Sequence, residues 1–198
     1  MADYDYLQLG LARGAAASAR FVQALAAIDL GGQPLGLFTA QLGWEASQVA
    51  LLIAGGEGAS PAAASLAQAP EVLSCVAWRL SPTVRPAPGA RLQPGGIYVH
   101  RWFEVAAASF DAFVALSAEA WPDFESRFDA QVFGLFEATG GPSPAVADRR
   151  RLLLITRYAS HGVWEDSRDP STAAMQTFAR RAELTLATSA ASSLLVAL

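Results

Sequence analysis

The sequence contains no lysine, no asparagine, one cysteine and two histidines among its 198 residues. All 14 basic residues are arginine, and 18 acidic residues bring the formal charge to −4. Nucleic acids and other polyphosphates are bound through clustered basic side chains, so a nucleic-acid partner is not expected. The single cysteine, Cys75, excludes an internal disulfide and a multi-cysteine metal site, and it fits a reducing cytoplasm.

Long apolar segments are also missing. Hydrophobic residues make up 53% of the chain, but many of them are alanine, and no uncharged run has the length and hydropathy of a membrane span. The first residues, Met1-Ala-Asp-Tyr-Asp-Tyr6, are acidic and lack the basic and apolar regions of a signal peptide. These features predict a soluble cytoplasmic protein.

An internal repeat is present. Leu35-Gly-Leu-Phe38 returns as Phe133-Gly-Leu-Phe136, and an Ala-Ala-Ala-Ser motif occurs at residues 15–18 and again at residues 106–109. Between the two copies lies a stretch rich in proline and glycine, which can form neither a regular helix nor a strand ladder. The sequence therefore predicts an N-terminal half at residues 1–82, a linker at residues 83–94 and a C-terminal half at residues 95–198.

Within each half the hydrophobic period alternates between that of a strand and that of a helix. The predicted strands are residues 6–12, 35–42, 49–54, 72–80, 97–105, 132–138, 151–158 and about 189–198; the predicted helices include 60–68, 109–128 and 171 to about 186. The order βαββαβ, repeated, is the ferredoxin-like unit. Because each such sheet leaves one apolar face bare, we expect an α+β fold in which the two sheets face each other as a dimeric α/β barrel.

The second half resembles the NIPSNAP family. The resemblance covers residues 95–198 and is carried by Gly96-Ile-Tyr-Val-His-Arg-Trp-Phe-Glu-Val105, by Trp164-Glu165-Asp-Ser-Arg168 and by Phe178-Ala-Arg-Arg181. It implies a dimeric α/β barrel whose bacterial members have no settled activity. The wider superfamily includes cofactor-free monooxygenases and heme proteins, so the fold does not choose the function. The first half lacks the arginines, which suggests that a site is confined to one half.

Strand parity predicts which side chains face the space between the sheets. Leu7, Leu9 and Leu11 correspond to Val99, Arg101 and Phe103, a mostly apolar set suited to lie under the helices. The opposite face carries Tyr98, His100 and Trp102, with Tyr158 expected nearby from a neighbouring strand. An aromatic pocket with a few polar groups is typical of a small-molecule site.

Several residues allow two interpretations. His100 is either a general acid or base or a hydrogen-bonded core residue. Trp164 and Arg168 share a face if their segment is helical, and they then either clamp an anion or serve packing and ion pairing. His161 is expected in a solvated loop. Arg180 and Arg181 are expected either on a solvated helix face or paired with Glu119 or Glu137. No histidine or cysteine spacing supports a metal, and no cofactor is predicted.

The sequence therefore favours a small-molecule-binding or protein-interaction module with a cavity between its sheets, whose ligand is apolar or aromatic. The alternative is a cofactor-independent monooxygenase or related small enzyme that uses the same cavity. A structural module with a filled interior is a third possibility. The sequence does not identify a catalytic residue. Association of whole chains into a homo-oligomer is expected, because edge strands and helix faces remain free.

Overall fold

The strands and helices follow the order that the repeat predicts, with one further short helix in the second half. The structure is a computed structural model and describes residues 3–14, 17–55, 61–142, 146–196 and 198. The first half contains β1 (Tyr4–Leu11), α1 (Ala17–Leu25), β2 (Gln33–Leu42), β3 (Gln48–Ala54), α2 (Pro61–Leu66) and β4 (Val72–Pro82). The second half contains β5 (Ile97–Ala106), α3 (Phe110–Arg127), β6 (Ala130–Gly140), β7 (Arg149–Tyr158), α4 (His161–Asp166), α5 (Ala173–Ala182) and β8 (Thr185–Val196).

The eight strands close into one barrel in the order β1-β3-β2-β8-β5-β7-β6-β4. Each half contributes four neighbouring antiparallel strands, arranged as a ferredoxin-like sheet. Two antiparallel seams join the sheets. Phe38 of β2 lies opposite Leu195 of β8, and Leu80 of β4 lies opposite Ala138 of β6. The expected α+β dimeric α/β barrel in a single chain is confirmed.

Alternation along the strands separates an inner face from an outer face. Tyr6 and Tyr98 belong to one buried cluster inside the barrel, to which both halves contribute. On the outer face, Leu7 and Leu9 pack under α1 and α2, while Phe103 packs under α3 and α5. None of the helices in the described ranges is long and apolar enough to cross a membrane.

The end of the second half differs from the prediction. The predicted helix to about residue 186 is wrong, because α5 ends at Ala182 and β8 begins at Thr185 instead of near residue 189. In β8, Thr185 pairs with Val105 and Ala187 with Glu104 of β5. Pairing with a buried strand therefore overrides the helical preference of the alanines and leucine here.

Two further details concern the helices. The sequence predicts a kink or a restart after Trp121, yet α3 runs on through Pro122 as one helix of 18 residues. His161, expected in a loop, instead begins α4, whose first turn is capped by the Ser160 hydroxyl accepting from the Val163 N–H at 3.2 Å. A serine cap of this kind satisfies one of the free N–H groups at a helix start.

The linker is bound to the second half. Residues 83–94 form no helix or strand, but the backbone N–H and the hydroxyl of Thr83 both donate to the Leu135 carbonyl, at 3.0 and 2.8 Å. The Arg85 guanidinium donates to Glu125 at 2.6 Å and lies 5.1 Å from the centre of the Trp121 ring. The linker thus continues the seam between β4 and β6 and reaches α3.

Separating the halves should expose the shared interior. Chains of residues 1–82 and 95–198, produced separately, are expected to aggregate or self-associate, because soluble monomers avoid large apolar faces and unpaired strand edges. Light scattering measures this. A chain cut only at the exposed Gly89 should instead stay together as one particle, since both seams remain intact. Two monodisperse, monomeric halves would contradict the shared barrel.

Candidate functional site

His100 lies inside the barrel, on the face that the parity of β5 predicts. Its ring is completely buried, with the rings of Phe38 and Trp44 centred 4.6 and 4.8 Å away. The Nδ1 atom is 3.1 Å from the Tyr6 hydroxyl, and the Nε2 atom is 2.9 Å from the Ser193 hydroxyl. Both ring nitrogens therefore have partners within the protein.

These hydrogen bonds determine where the His100 proton lies. The Ser193 hydroxyl donates its only proton to the Tyr98 carbonyl at 3.2 Å, so it accepts from His100 Nε2. The Nδ1 atom then accepts from the Tyr6 hydroxyl. Burial lowers the pKa of His100 to about 3, which keeps the ring neutral. A neutral, enclosed and fully partnered imidazole serves the structure and is not placed to exchange protons with a substrate.

Trp102 lies half-buried at one mouth of the barrel, where its ring is centred 5.0 Å from that of Trp78. The expected cavity between the sheets is occupied by side chains, because the inner faces of both halves carry large aromatic and aliphatic residues. The buried members of this interior cluster include Tyr4, Tyr6, Phe38, Leu52, Leu80, Tyr98, Phe136, Leu153 and Ile155.

Tyr158 lies on the outer face of the barrel, so grouping it with Tyr98 and His100 is wrong. In the register of β5 and β7, Tyr158 pairs with Ile97, and both side chains point toward the helices. The Tyr158 ring packs edge-on against Phe124 of α3, with centroids 5.9 Å apart. Parity within one strand could not show this, because the pairing register was needed.

A cleft of about 600 Å³ opens on this outer face, between the second-half sheet and helices α3 and α5. We call it the sheet–helix cleft. Its volume lies within the usual range for small-molecule sites, and apolar side chains dominate its walls. These include Phe103, Trp121, Phe124, Val132, Leu154 and Phe178.

Three arginines line the sheet–helix cleft: Arg101 of β5, Arg168 after α4 and Arg181 of α5. Within the described part of the chain, no carboxylate lines the cleft, and none pairs with any of the three. Burial, with Arg168 nearby, lowers the pKa of Arg101. Burial, with Arg101 nearby, lowers the pKa of Arg181 to about 9. The site therefore concentrates positive charge that the protein itself does not neutralise.

Arg181 is fixed in place by its surroundings. Its side chain is only 7% exposed and donates to the Ser117 hydroxyl of α3 at 3.2 Å. The guanidinium carbon lies 4.4 Å from the ring centre of Phe178, 5.0 Å from that of Phe103 and 5.3 Å from that of Phe113. Arginine stacks readily on aromatic faces, so these rings hold a cation beneath the cleft.

Arg168 and Trp164 are brought together, although α4 ends at Asp166 and Arg168 lies beyond it. The guanidinium carbon of Arg168 lies 4.7 Å from the Trp164 ring centre, which orients Arg168 at the cleft. Two buried donors in residues that line the cleft have no hydrogen-bond partner among the described residues, namely Arg168 Nε and Trp121 Nε1. Unpartnered buried donors are uncommon in proteins and call for an explanation.

Tyr158 adds a hydroxyl to the same cleft. Burial raises the pKa of Tyr158, although the charges of Arg168 and Arg101 act in the opposite direction. The phenol therefore stays neutral and can donate a hydrogen bond. The cleft thus combines three cations, a neutral phenol and aromatic walls.

The first half has apolar residues at the matching positions. Leu9 of β1 corresponds to Arg101 of β5. Ile53 of β3 corresponds to Tyr158 of β7, because Ile53 pairs with Asp5 just as Tyr158 pairs with Ile97. Leu9 and Ile53 are completely buried in one cluster with α1 and α2. The arginine cleft is therefore a feature of the second half only, within the ranges that the structure describes.

Arg101 and Arg181 are the site residues that sequence reasoning missed. The sequence pattern places Arg101 in the mostly apolar set under the helices, and it treats Arg181, like Arg180, as a solvated charge or as a partner of Glu119 or Glu137. Only Arg180 is such a charge, since it pairs with Glu119 at 2.6 Å. The available signal was the arginine at an outer-face position of β5, where the repeat has Leu9, because an unpaired charge is rarely buried without a purpose.

The second histidine is placed away from the cleft lining. His161 Nε2 lies 3.3 Å from the Ser192 hydroxyl, at the start of α4. No group of three or more histidine, cysteine or carboxylate side chains is arranged to hold a metal ion in the residues that the structure describes.

No protein-family model and no curated protein matches the chain. Among solved structures, an anthrone oxidase-like protein has a TM-score of 0.68 at 9% identity, over 98% of this chain and 92% of its own. A ferredoxin-fold protein related to antibiotic biosynthesis monooxygenases, from Listeria monocytogenes, has a TM-score of 0.54 at 12% identity, over 100% and 96%. A heme-degrading enzyme from the same organism has a TM-score of 0.52 at 10% identity, over 95% and 97%. These likenesses show a shared fold, the ferredoxin-like units of a dimeric α/β barrel.

Proposed function

We propose that the sheet–helix cleft binds a small molecule that joins a flat apolar body to one anionic group, such as a carboxylate, phenolate or enolate. The observation that carries this proposal is the set of three arginines that face an apolar cavity without a carboxylate. Removing an ion from water costs several kcal/mol unless a partner compensates it. A ligand anion is the natural partner.

The walls support the apolar part of the ligand. Phe103, Phe124 and Phe178 offer ring faces and edges, and the volume of about 600 Å³ accommodates two or three fused rings. Anionic oxygens near Arg101 and Arg168 would receive charge-assisted hydrogen bonds, which are about twice as strong as neutral ones. Tyr158 would donate a further hydrogen bond.

The proposal also includes three expectations from the sequence: a relationship of residues 95–198 to the NIPSNAP family, a cytoplasmic location and association into a homo-oligomer. The most specific segment of the family resemblance contains Trp164 and Arg168, which stack beside the cleft. The ligand site is moved from the barrel interior to the outer face, because Tyr98 and His100 are enclosed.

Heme does not fit the residues present. Proteins hold heme iron through histidine, cysteine, tyrosine or methionine ligands. No histidine or cysteine is found among the described residues that line the cleft, and Met175 would need a histidine partner to resemble known methionine ligation. Burial keeps Tyr158 in its neutral form, whereas iron binds the phenolate. No heme chemistry is therefore proposed.

Cofactor-independent oxygenation is the second candidate. The same three arginines support this candidate. Arg101, Arg168 and Arg181 would stabilise an enolate and so favour ionisation of an acidic enol at neutral pH. An enolate is electron-rich enough to react with molecular oxygen. The fold shared with an anthrone oxidase-like protein makes anthrone a reasonable probe.

Replacing Arg101 by leucine, the residue at the matching position of the first half, tests the binding proposal. Arg101→Leu should weaken binding of naphthoate by about tenfold or more, because a charge-assisted hydrogen bond contributes about 1.5 to 3 kcal/mol. It should also raise the stability of the ligand-free protein by roughly 1 kcal/mol, since an uncompensated charge leaves the interior. Calorimetric titration and urea unfolding measure the two effects.

Two controls accompany this variant. Arg180→Gln lies one residue away from Arg181 on α5 but outside the cleft, so it should leave naphthoate binding unchanged. The neutral methyl ester of naphthoate should bind the Arg101→Leu variant about as well as the unchanged protein. Equal losses for the acid and its ester would mean that the cleft does not recognise charge, and the proposal would then fail.

Oxygenation is tested with anthrone under air. One atom of molecular oxygen becomes the new carbonyl oxygen of anthraquinone, and the other leaves as water with the two hydrogens of the methylene carbon. We expect oxygen uptake that matches anthraquinone formation, slowed in Arg101→Leu and inhibited by naphthoate. An oxygen electrode and the absorbance of the quinone follow the reaction. A rate equal to that without protein would leave binding as the function.

His100 lies outside the proposed site and should affect stability alone. The unfolded chain protonates this residue near pH 6.5 and the folded protein only near pH 3. Within this window the unfolded state binds the additional proton, so the free energy of unfolding falls as the pH is lowered, by roughly 1.4 kcal/mol per pH unit. Above about pH 6.5 the contribution is constant.

The variant His100→Gln isolates this effect, because glutamine can accept from Tyr6 and donate to Ser193 without titrating. It should be less stable than the unchanged protein at neutral pH, and the gap should shrink or reverse near pH 4. Urea unfolding at both pH values measures it, while naphthoate binding should stay the same. A gap that does not change with pH would show that His100 is not held neutral in the folded state.

A further inference from the structure

We infer that the ligand of the sheet–helix cleft is elongated and that its far end occupies a second cavity at the mouth of the barrel. This inference rests on the proposed function and extends it. The second cavity, which we call the mouth pocket, has a volume of about 280 Å³. Its walls include Trp78, Trp102, Glu104 and Arg151 together with the first residues of β8.

The two cavities adjoin each other. Phe103 of β5 and Ala187 and Thr188 of β8 line both of them. Thr188 lies opposite Phe103 and Ala187 opposite Glu104, so successive residues of β8 turn toward the outer face and toward the mouth. Residues 186–190 of β8 are exposed along the border that the two cavities share. A ligand in the cleft can therefore extend over this edge.

The beginning of β8 is held against β5 at this point. The Thr188 hydroxyl donates to the Trp102 carbonyl at 2.9 Å, which ties the strand edge to the residue whose ring forms a wall of the mouth pocket. The edge is therefore a fixed rim with a small side chain, Ala187, facing the mouth. A flat group can cross such a rim without displacing a bulky residue.

The chemistry of the mouth pocket differs from that of the cleft. The indole rings of Trp78 and Trp102 are tilted by 42° with centres 5.0 Å apart, and they offer aromatic surface. Glu104 accepts from Arg151 at 2.7 Å and also lies 3.5 Å from Arg149, so its charge is compensated inside the protein. This pocket therefore suits a neutral aromatic group.

The two cavities together describe one class of ligand. Its head is an aromatic ring system with a carboxylate or enolate, which faces Arg101, Arg168 and Arg181. Its tail is a neutral ring joined by a short flexible link, which lies against Trp102. A compact anion such as benzoate would use only the cleft.

A pair of ligands tests this inference on the full-length protein. The short ligand is naphthoate, and the long ligand is the same acid with a benzyloxy group at the ring position farthest from the carboxylate. Burial of the extra ring should make the long ligand bind about tenfold more tightly than the short one. Calorimetric titration gives both dissociation constants, and their ratio is the readout.

Ser189→Trp should reduce this ratio to about one, because Ser189 lines the mouth pocket and a tryptophan there would fill it. Leu194→Trp is the matched control. Leu194 is an exposed residue of β8 that lies opposite Thr39 of β2 and lines neither cavity, so the ratio should be kept. This pair separates filling of the pocket from a general effect of a large residue on β8.

Each outcome decides one of the two proposals. A ratio of about ten that is lost in Ser189→Trp and kept in Leu194→Trp supports the elongated ligand. Equal affinities of the short and long ligands in the unchanged protein would overturn the second cavity while leaving the cleft as an anion site. If neither ligand binds, the proposed function fails, and this inference fails with it.

Discussion

Closure of the barrel is the constraint on which the rest of the structure depends. The two sheets join along β2 with β8 and β4 with β6, so each inner face has to be covered by the other. An eight-stranded barrel has an interior that side chains can just fill. Aromatic residues from both halves do so, and Tyr6, His100 and Ser193 satisfy one another's polar side-chain groups in a buried hydrogen-bond network. Space for a cleft is therefore found on the outer face, between the sheet of the second half and its helices.

The outer faces of the two halves differ in charge, and this difference affects how closely the helices pack on the sheet. In the first half, leucine and isoleucine side chains of the sheet pack directly against α1 and α2 in one buried cluster. In the second half, Arg101 takes the place of a leucine and faces Arg168 and Arg181. Like charges repel, and hydrated guanidinium groups resist burial, so α3 and α5 cannot close over the sheet in the same way. The cleft is the space that this resistance keeps open.

Much of the fold could be predicted from the sequence, because the repeat, the proline-rich linker and the alternation of periods are all local signals. The inner position of Tyr98 and His100 followed from parity in β5. Strand parity predicts which face of the sheet a side chain occupies, but it does not predict how much space remains between the two sheets. It therefore could not show that neighbouring aromatic rings fill the barrel interior. Tyr158 needed the register of β5 and β7, and the end of α5 needed the pairing of β8, which are both non-local. Arg181 resembles a surface charge in the sequence because two of its three aromatic neighbours, Phe103 and Phe113, come from distant segments.

The fusion of two units in one chain has a consequence for symmetry. A barrel assembled from two identical chains carries every outer-face residue twice, so a change that opens a cleft on one side opens it on the other. Here Leu9 and Arg101 occupy matching places in one polypeptide and need not agree. The first half is free to act as a scaffold while the second specialises. Within the described residues each chain presents one arginine cleft, so coupling between two such clefts would require contact between separate chains.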